Sequence, residues 1–152
     1  MSREKAEPLR YETAIDRVGL AIGAGGLMGG AIVALMMAFA GPIAVGTLMI
    51  ALLVGSLMTA LAITALAAIP WAIMHAAGRR GPLGAALLGG IIGFVLFLAG
   101  QTYGFGLFEM PVMDSRTLLY RWASGMATSL VMAAMSGGIG VVMWRVAYRR
   151  VR

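Results

Sequence analysis

Residues 18–78 read VGLAIGAGGLMGGAIVALMMAFAGPIAVGTLMIALLVGSLMTALAITALAAIPWAIMHAAG, and these sixty-one positions contain no Asp, Glu, Lys or Arg. Two further charge-free apolar runs follow, at 81–108 and 122–144. A charged side chain at the bilayer centre costs about 2.5 to 3.5 kcal/mol on insertion scales, and about 20 apolar residues span the hydrocarbon as a helix. The pattern therefore predicts an all-α integral membrane protein.

The composition supports this prediction. Hydrophobic residues make up 61% of the chain and charged residues 12%, whereas soluble domains contain about 45–50% and about 25%. The chain has no cysteine, which excludes disulfides, iron–sulfur clusters and thiolate zinc sites. Eleven of the twelve basic residues are Arg, a bias typical of a bacterial genome rich in G and C.

Breaks in the apolar pattern predict a four-helix bundle. Gly41-Pro42 ends the first helix, and Arg79-Arg80-Gly81-Pro82 separates the second from the third. The second run is too long for one perpendicular span and too short for two, so we expect one tilted helix that Pro70 kinks. The predicted spans are 18–40, 44–70, 83–100 and 122–144, in one domain at 18–147, between a polar tail at 1–17 and a basic tail at 148–152.

The first segment of the chain has two further features. From Pro8 onward the apolar spacing predicts a short helix that runs into the membrane. Ala38-Phe39-Ala40 has the form of a signal-peptidase site. However, the apolar run exceeds the 7 to 15 residues or so of a signal peptide, and acidic residues precede it, so we expect this helix to be retained.

Basic residues predict the orientation. With four spans, both tails and the Arg79-Arg80 turn lie on one side, which then carries ten of the twelve basic residues. Only Arg116 and Arg121 lie on the other side. Because an excess of Lys and Arg marks the cytoplasmic face, both termini are predicted to be cytoplasmic, in the cell inner membrane. Basic residues beside spans favour anionic lipid headgroups as partners and do not indicate nucleic acid.

The first helix contains three overlapping G-x-x-x-G pairs, and two later helices contain similar pairs. Lipid tails are as apolar as Leu, so membrane helices associate through close contacts that small residues permit. We expect these residues to contact neighbouring helices of the bundle, another chain, or both. The predicted packing residues are Gly19, Gly23, Gly25, Gly26, Gly29, Gly30, Gly89, Gly93, Gly125 and Ser129.

A second set of residues is predicted to lie at the membrane interfaces, where tryptophan and basic side chains concentrate. His75 is the single histidine of the chain, and one imidazole cannot provide bis-histidine haem ligation or a multi-histidine metal site. No metal or cofactor is therefore predicted. The interfacial residues are Trp71, His75, Arg79, Arg80, Trp122 and Trp144.

The segment at 101–121 is the largest feature predicted outside the membrane on the second side. Its aromatic residues indicate contact with the interface or with a partner. Residues 102–106, TYGFG, resemble the T-x-G-Y/F-G filter of potassium channels, in which backbone carbonyls bind the ion. Here a full-length apolar span precedes the motif and Leu107 follows it, in place of an acidic residue, so we assign no filter.

The sequence contains no nucleophile with a paired base and no interfacial carboxylate cluster, so it does not predict an enzyme. We expect a structural or accessory protein that packs through its glycine faces against other membrane subunits or copies of itself. The alternative is a small homo-oligomeric channel or transporter for ions or small solutes.

Overall fold

A computed structural model describes residues 10–104 and 114–151. Within these residues the chain is helical, apart from one short β-ladder. The elements are β1 (Arg10–Glu12), α1 (Ile15–Ala40), α2 (Val45–Ala62), a π-helical segment (Ile63–Ala67), α3 (Ala68–Ala76), α4 (Pro82–Tyr103), α5 (Ser115–Ala147) and β2 (Arg149–Val151).

Four helices are long and apolar enough to cross a membrane: Ile15–Ala40, Val45–Ala76, Pro82–Tyr103 and Ser115–Ala147. Each has 22 residues or more, and at about 1.5 Å per residue this exceeds the roughly 30 Å of hydrocarbon. Large apolar side chains such as Phe39 and Leu83 are exposed on their outer faces, as expected of helices surrounded by lipid. The predicted all-α class is confirmed for these four helices.

The second helix continues six residues past Pro70, where the sequence predicted a kink and the end of the membrane span. Proline has no N–H to donate, and its ring crowds the carbonyl four residues earlier, here Leu66. The π-helical turn at Ile63–Ala67 lies at this point, and its wider backbone accommodates the ring. Thr64 Oγ1 also donates to the carbonyl of Ala60 at 2.8 Å. The helix therefore passes through Pro70 and ends at Ala76.

The ends of the chain meet at one end of the bundle. β1 and β2 pair antiparallel, with Arg10 opposite Val151 and Glu12 opposite Arg149. The helix predicted from Pro8 onward is therefore wrong for residues 10–12. A three-residue strand becomes favourable only when its partner satisfies its backbone hydrogen bonds, and that partner lies at the far end of the chain.

The other long helices, α1, α4 and α5, also extend beyond their predicted spans. α1 begins at Ile15 inside the predicted polar tail, and Asp16 lies in its first turn, where a carboxylate interacts favourably with the helix dipole.

α4 runs to Tyr103, and Gly104 ends it in the left-handed conformation at φ 54°. Thr102 and Tyr103 are thus helical, with carbonyls directed along the helix and not toward a pore. Phe105 and Gly106 lie outside the described residues.

The helices form two close pairs, α1 with α2 and α4 with α5. In the first pair, a Cβ at Gly26 would lie 2.9 Å from the carbonyl oxygen of Ser56. In the second pair, a Cβ at Gly89 would lie 2.5 Å from the carbonyl oxygen of Ser136. These contacts leave no room for a side chain, so each pair depends on glycine for its separation.

The two pairs join near the ends of the chain. A Cβ at Gly25 would lie 2.7 Å from the sulfur of Met143. Ala21 forms a buried cluster with Ala147 and Tyr148. α1 and α5 therefore hold the pairs together at the end of the bundle that carries the β-ladder.

Replacement of Gly30 by alanine tests the first pair. The added methyl group would lie 2.7 Å from the backbone nitrogen of Ser56 and even closer to the carbonyl oxygen of Leu52. Since both are backbone atoms, the helices must separate, and we expect Gly30→Ala to lower the free energy of unfolding by about 1 to 3 kcal/mol. Thermal unfolding in detergent, followed by circular dichroism, measures this loss.

The control is Gly138→Ala, because a Cβ at Gly138 meets nothing within 4 Å. Alanine also has the higher intrinsic helix propensity, so this variant should be at least as stable as the parent. Equal melting temperatures for Gly30→Ala and Gly138→Ala would contradict the close contact between α1 and α2.

Candidate functional site

Four aromatic side chains form a cluster where the ends of the chain meet. Trp71 and His75 come from α3, Trp144 from the last turns of α5, and Tyr148 follows α5 directly. The His75 and Tyr148 rings stack with centroids 5.8 Å apart, and His75 Nδ1 lies 2.8 Å from the Tyr148 hydroxyl. Trp71 lies 5.4 Å from His75 and 6.4 Å from Tyr148, between ring centroids. We call these residues the aromatic cluster.

Spacing along the helices assembles this cluster. Trp71 and His75 are four residues apart on one face of α3. Tyr148 follows α5 directly, four residues after Trp144, and its backbone N–H donates to the carbonyl oxygen of Trp144 at 2.9 Å. The sequence predicted Trp71, His75 and Trp144 at an interface, but placed Tyr148 in the basic tail. The missed signal was the i, i+4 spacing of Tyr148 from Trp144. Tyr148 is 8% exposed, and this burial raises the pKa of its hydroxyl.

The arginine loop, residues 77–81, is attached to the aromatic cluster. Trp144 Nε1 donates to the carbonyl oxygen of Arg80 at 2.8 Å. The positive charge of Arg80 lowers the pKa of the Tyr148 hydroxyl, against the larger effect of burial. Arg80 is half-buried and Arg79 is exposed. This end of the bundle thus combines cationic and aromatic groups, as headgroup-level anchors do.

A half-open cavity of about 830 Å³ lies between the two helix pairs. Its walls come from α1, α2, α3, α4 and α5, and they are almost entirely apolar. Trp71, Trp144, Tyr148, Arg79 and Arg80 line one end. No acidic residue appears among the described residues that line it. The cavity therefore has an apolar body and a cationic, aromatic end, an arrangement that the sequence did not reveal.

The predicted packing residues divide into two groups. Gly19 and Gly23 have nothing within 4 Å of an added Cβ and are exposed, while the others face a neighbouring helix or are buried. Ser129 is fully buried. The residues that lie inside the bundle are Gly25, Gly26, Gly29, Gly30, Gly89, Gly93, Gly125 and Ser129.

The opposite end of the bundle contains a separate set of polar contacts. Trp122 meets Tyr103 edge to face at 5.6 Å between centroids, and Thr128 donates to Gln101 Oε1 at 2.6 Å. At the start of α5, a hydrogen bond from Thr117 lowers the pKa of the exposed Asp114 carboxyl. The aromatic and Met-rich residues of the predicted outer segment, at 105–113, lie outside the described residues.

The aromatic cluster, the arginine loop and the cavity together offer aromatic, cationic and apolar surface. In the part of the chain that the structure describes, no group of three or more His, Cys, Asp or Glu side chains could hold a metal ion. His75 is engaged with Tyr148 through a hydrogen bond and ring stacking. The cavity offers apolar surface to a ligand along most of its length and positive charge at one end.

Comparison with known proteins yields no match to a family, to a curated protein or to a solved structure. Four apolar helices with a basic, aromatic end indicate the class of small multi-pass membrane proteins.

Mutation can measure how much the hydrogen bond between Tyr148 and His75 contributes to the free energy of unfolding. Tyr148→Phe removes the hydroxyl and leaves a part-buried imidazole without this partner, so we expect a loss of about 1 kcal/mol in the free energy of unfolding. Tyr120→Phe is the control, because that side chain is 72% exposed. Thermal unfolding in detergent provides the readout.

A double-mutant cycle with His75→Phe separates the hydrogen bond from ring packing. If the bond couples the two residues, the double variant should be destabilised by less than the sum of the single variants, by about 1 kcal/mol. Strict additivity would contradict a coupled His75–Tyr148 pair.

Proposed function

We propose that this chain is a non-enzymatic accessory protein of a bacterial inner membrane, and that α1 docks onto another membrane subunit or onto a second copy. The observation that carries the proposal is the uncovered pair Gly19 and Gly23. An added Cβ at either position meets nothing within 4 Å, whereas Gly25, Gly26 and Gly30 are covered by neighbouring helices. One G-x-x-x-G pair of α1 is thus left over after the bundle has formed.

The uncovered pair has the shape of a helix-docking groove. Ile15, Gly19, Gly23 and Leu27 are spaced four residues apart and share one face of α1. Ile15 is 89% exposed and Leu27 61% exposed, so two apolar side chains border a glycine floor. In lipid, such small-xxx-small faces promote association because they bring backbones into contact. We call this face the α1 groove.

The channel alternative receives less support from the geometry. A conducting path replaces the hydration of an ion with carbonyls, hydroxyls or charges. The cavity between the helix pairs is walled almost entirely by apolar side chains. Thr59, Ser136 and Tyr148 contribute the hydroxyls among its lining residues, too few to line a polar path along the bundle.

The proposal includes an orientation with both termini in the cytoplasm. The β-ladder brings the two ends of the chain together, and the bond from Trp144 to Arg80 places the arginine loop at the same end. Of the nine basic residues in the described part of the chain, seven lie at that end. An excess of Lys and Arg favours the cytoplasmic side.

Cysteine labelling tests this orientation directly, since the natural chain has no cysteine. Ala77→Cys lies in the arginine loop and Ser115→Cys at the opposite end, and both positions are exposed. In intact cells we expect a membrane-impermeant maleimide to label Ser115→Cys and not Ala77→Cys. In opened cells both should react. The reverse pattern in intact cells would overturn the proposed orientation.

Leucine in the α1 groove tests the docking proposal. Gly23→Leu fills the groove without touching the bundle, so we expect the monomer to keep its thermal stability and to lose its partner. Native mass spectrometry of protein extracted gently from its own membrane measures the mass of the assembly. Gly138→Leu is the control, because that glycine also faces open space but lies on α5.

Each outcome of this experiment has a definite meaning. Loss of larger subunits from Gly23→Leu alone supports the accessory role, and loss of a homo-oligomer supports docking between copies. A parent protein that is monomeric throughout contradicts the proposal. Ion or solute flux in liposomes that Gly23→Leu abolishes would favour the channel over the accessory role.

A further inference from the structure

The cavity between the helix pairs is longer than one leaflet of a bilayer, since on α1 its lining runs from Val18 to Met37, about 29 Å at the rise of an α-helix. On α4 its lining runs from Ala85 to Phe97, which is about 18 Å at the rise of an α-helix. One leaflet of the hydrocarbon core measures about 15 Å, half of the roughly 30 Å total. A single acyl chain that enters from one leaflet can therefore be accommodated along the length of the cavity.

The volume and the walls also suit an acyl chain. The cavity measures about 830 Å³, within the range of roughly 300 to 1,000 Å³ that is usual for ligand pockets. Ala72, Leu88 and Ile92 are among its apolar lining residues. Ligand pockets are mostly apolar, with a few polar groups that fix the orientation of the ligand.

The polar groups that line the cavity lie mostly at one of its ends. Arg79 and Arg80 line the cavity beside Trp71, Trp144 and Tyr148, and no described lining residue is acidic. Guanidinium groups bind phosphate through charge and through paired hydrogen bonds. Tryptophan and tyrosine prefer the headgroup level of a bilayer. The charged end is therefore complementary to a headgroup whose net charge is negative, since a zwitterionic headgroup adds a cation that the two arginines repel.

We propose that the cavity is a binding site for one anionic glycerophospholipid. Its acyl chain occupies the space between the helix pairs, and its phosphate headgroup binds at Arg79 and Arg80. This site is separate from the α1 groove, and it does not depend on the docking of another subunit.

Tryptophan fluorescence provides a local reporter. Trp71 and Trp144 line the cavity, whereas Trp122 lies at the opposite end beside Tyr103. The Trp122→Phe variant thus reports on the cavity alone, and the Trp71→Phe, Trp144→Phe double variant reports on the other end. Both are placed in phosphatidylcholine nanodiscs that contain either brominated phosphatidylglycerol or brominated phosphatidylcholine, whose acyl chains quench tryptophan on contact.

For the cavity reporter we expect half-maximal quenching at a lower mole fraction of phosphatidylglycerol than of phosphatidylcholine. Arg79→Gln and Arg80→Gln should each reduce this preference by about fivefold. Lysine at the same positions retains the charge and should keep most of the preference. Arg145→Gln is the matched control. Arg145 lies in the last turn of α5, at the same end of the bundle as the arginine loop, but it does not line the cavity.

A second pair of variants tests whether the chain of the lipid enters. Ala72→Phe places a ring in the cavity, whereas Ala76→Phe adds the same ring to an exposed position of α3 outside the lining. We expect only Ala72→Phe to reduce quenching of the cavity reporter. Unchanged quenching in that variant would overturn acyl-chain binding in the cavity.

Three other results would also overturn the proposal. One is equal quenching of the cavity reporter, the Trp122→Phe variant, by the two lipids. Another is an equally strong preference for phosphatidylglycerol in the Trp71→Phe, Trp144→Phe variant, which retains Trp122 at the other end. The third is a neutral lipid that stays bound to the purified protein in native mass spectrometry and resists exchange with phosphatidylglycerol.

Discussion

Backbone contact at glycine is the interaction on which the rest of this bundle depends. Helices surrounded by lipid gain nothing by hiding apolar side chains from one another, so their association needs van der Waals contact at short range. Gly26 against Ser56 and Gly89 against Ser136 provide that contact within the two helix pairs. Ala21 and Gly25 then join the pairs through α5. The large apolar side chains are consequently left on the outside, facing lipid.

The helices themselves were predictable because the cost of burying charge acts on every residue of a span. Residues 18–78 contain no charged side chain, and four helices long and apolar enough to cross a membrane follow the apolar runs. The exact ends were not predictable. Pro70 predicts a kink, but not the π-helical turn that precedes it, because such a turn leaves no signature in composition. The β-ladder at Arg10–Glu12 depends on a partner at Arg149–Val151, a pairing that no local pattern encodes.

The sites were predictable only in part, for a similar reason. Tryptophans and arginines mark an interface by their chemistry alone, so Trp71, Arg80 and Trp144 could be assigned from the sequence. Their contact with Tyr148 depends on how α3 and α5 are juxtaposed, which periodicity within one helix does not specify. Spacing also shows that a glycine face exists, but not which glycines remain uncovered. Only the packed structure separates Gly23 from Gly26.

The same small residues explain why the bundle contains a cavity. Close contact within each pair requires glycine and alanine at the seam, and several of these, including Gly29, Ala85 and Gly89, also line the space between the pairs. A residue too small to hold two helices apart is also too small to fill the gap on its other side. Since an empty apolar cavity forfeits dispersion contacts, an apolar occupant from the surrounding bilayer is favoured. The bilayer supplies acyl chains at high concentration, and Arg79 and Arg80 select among them by headgroup.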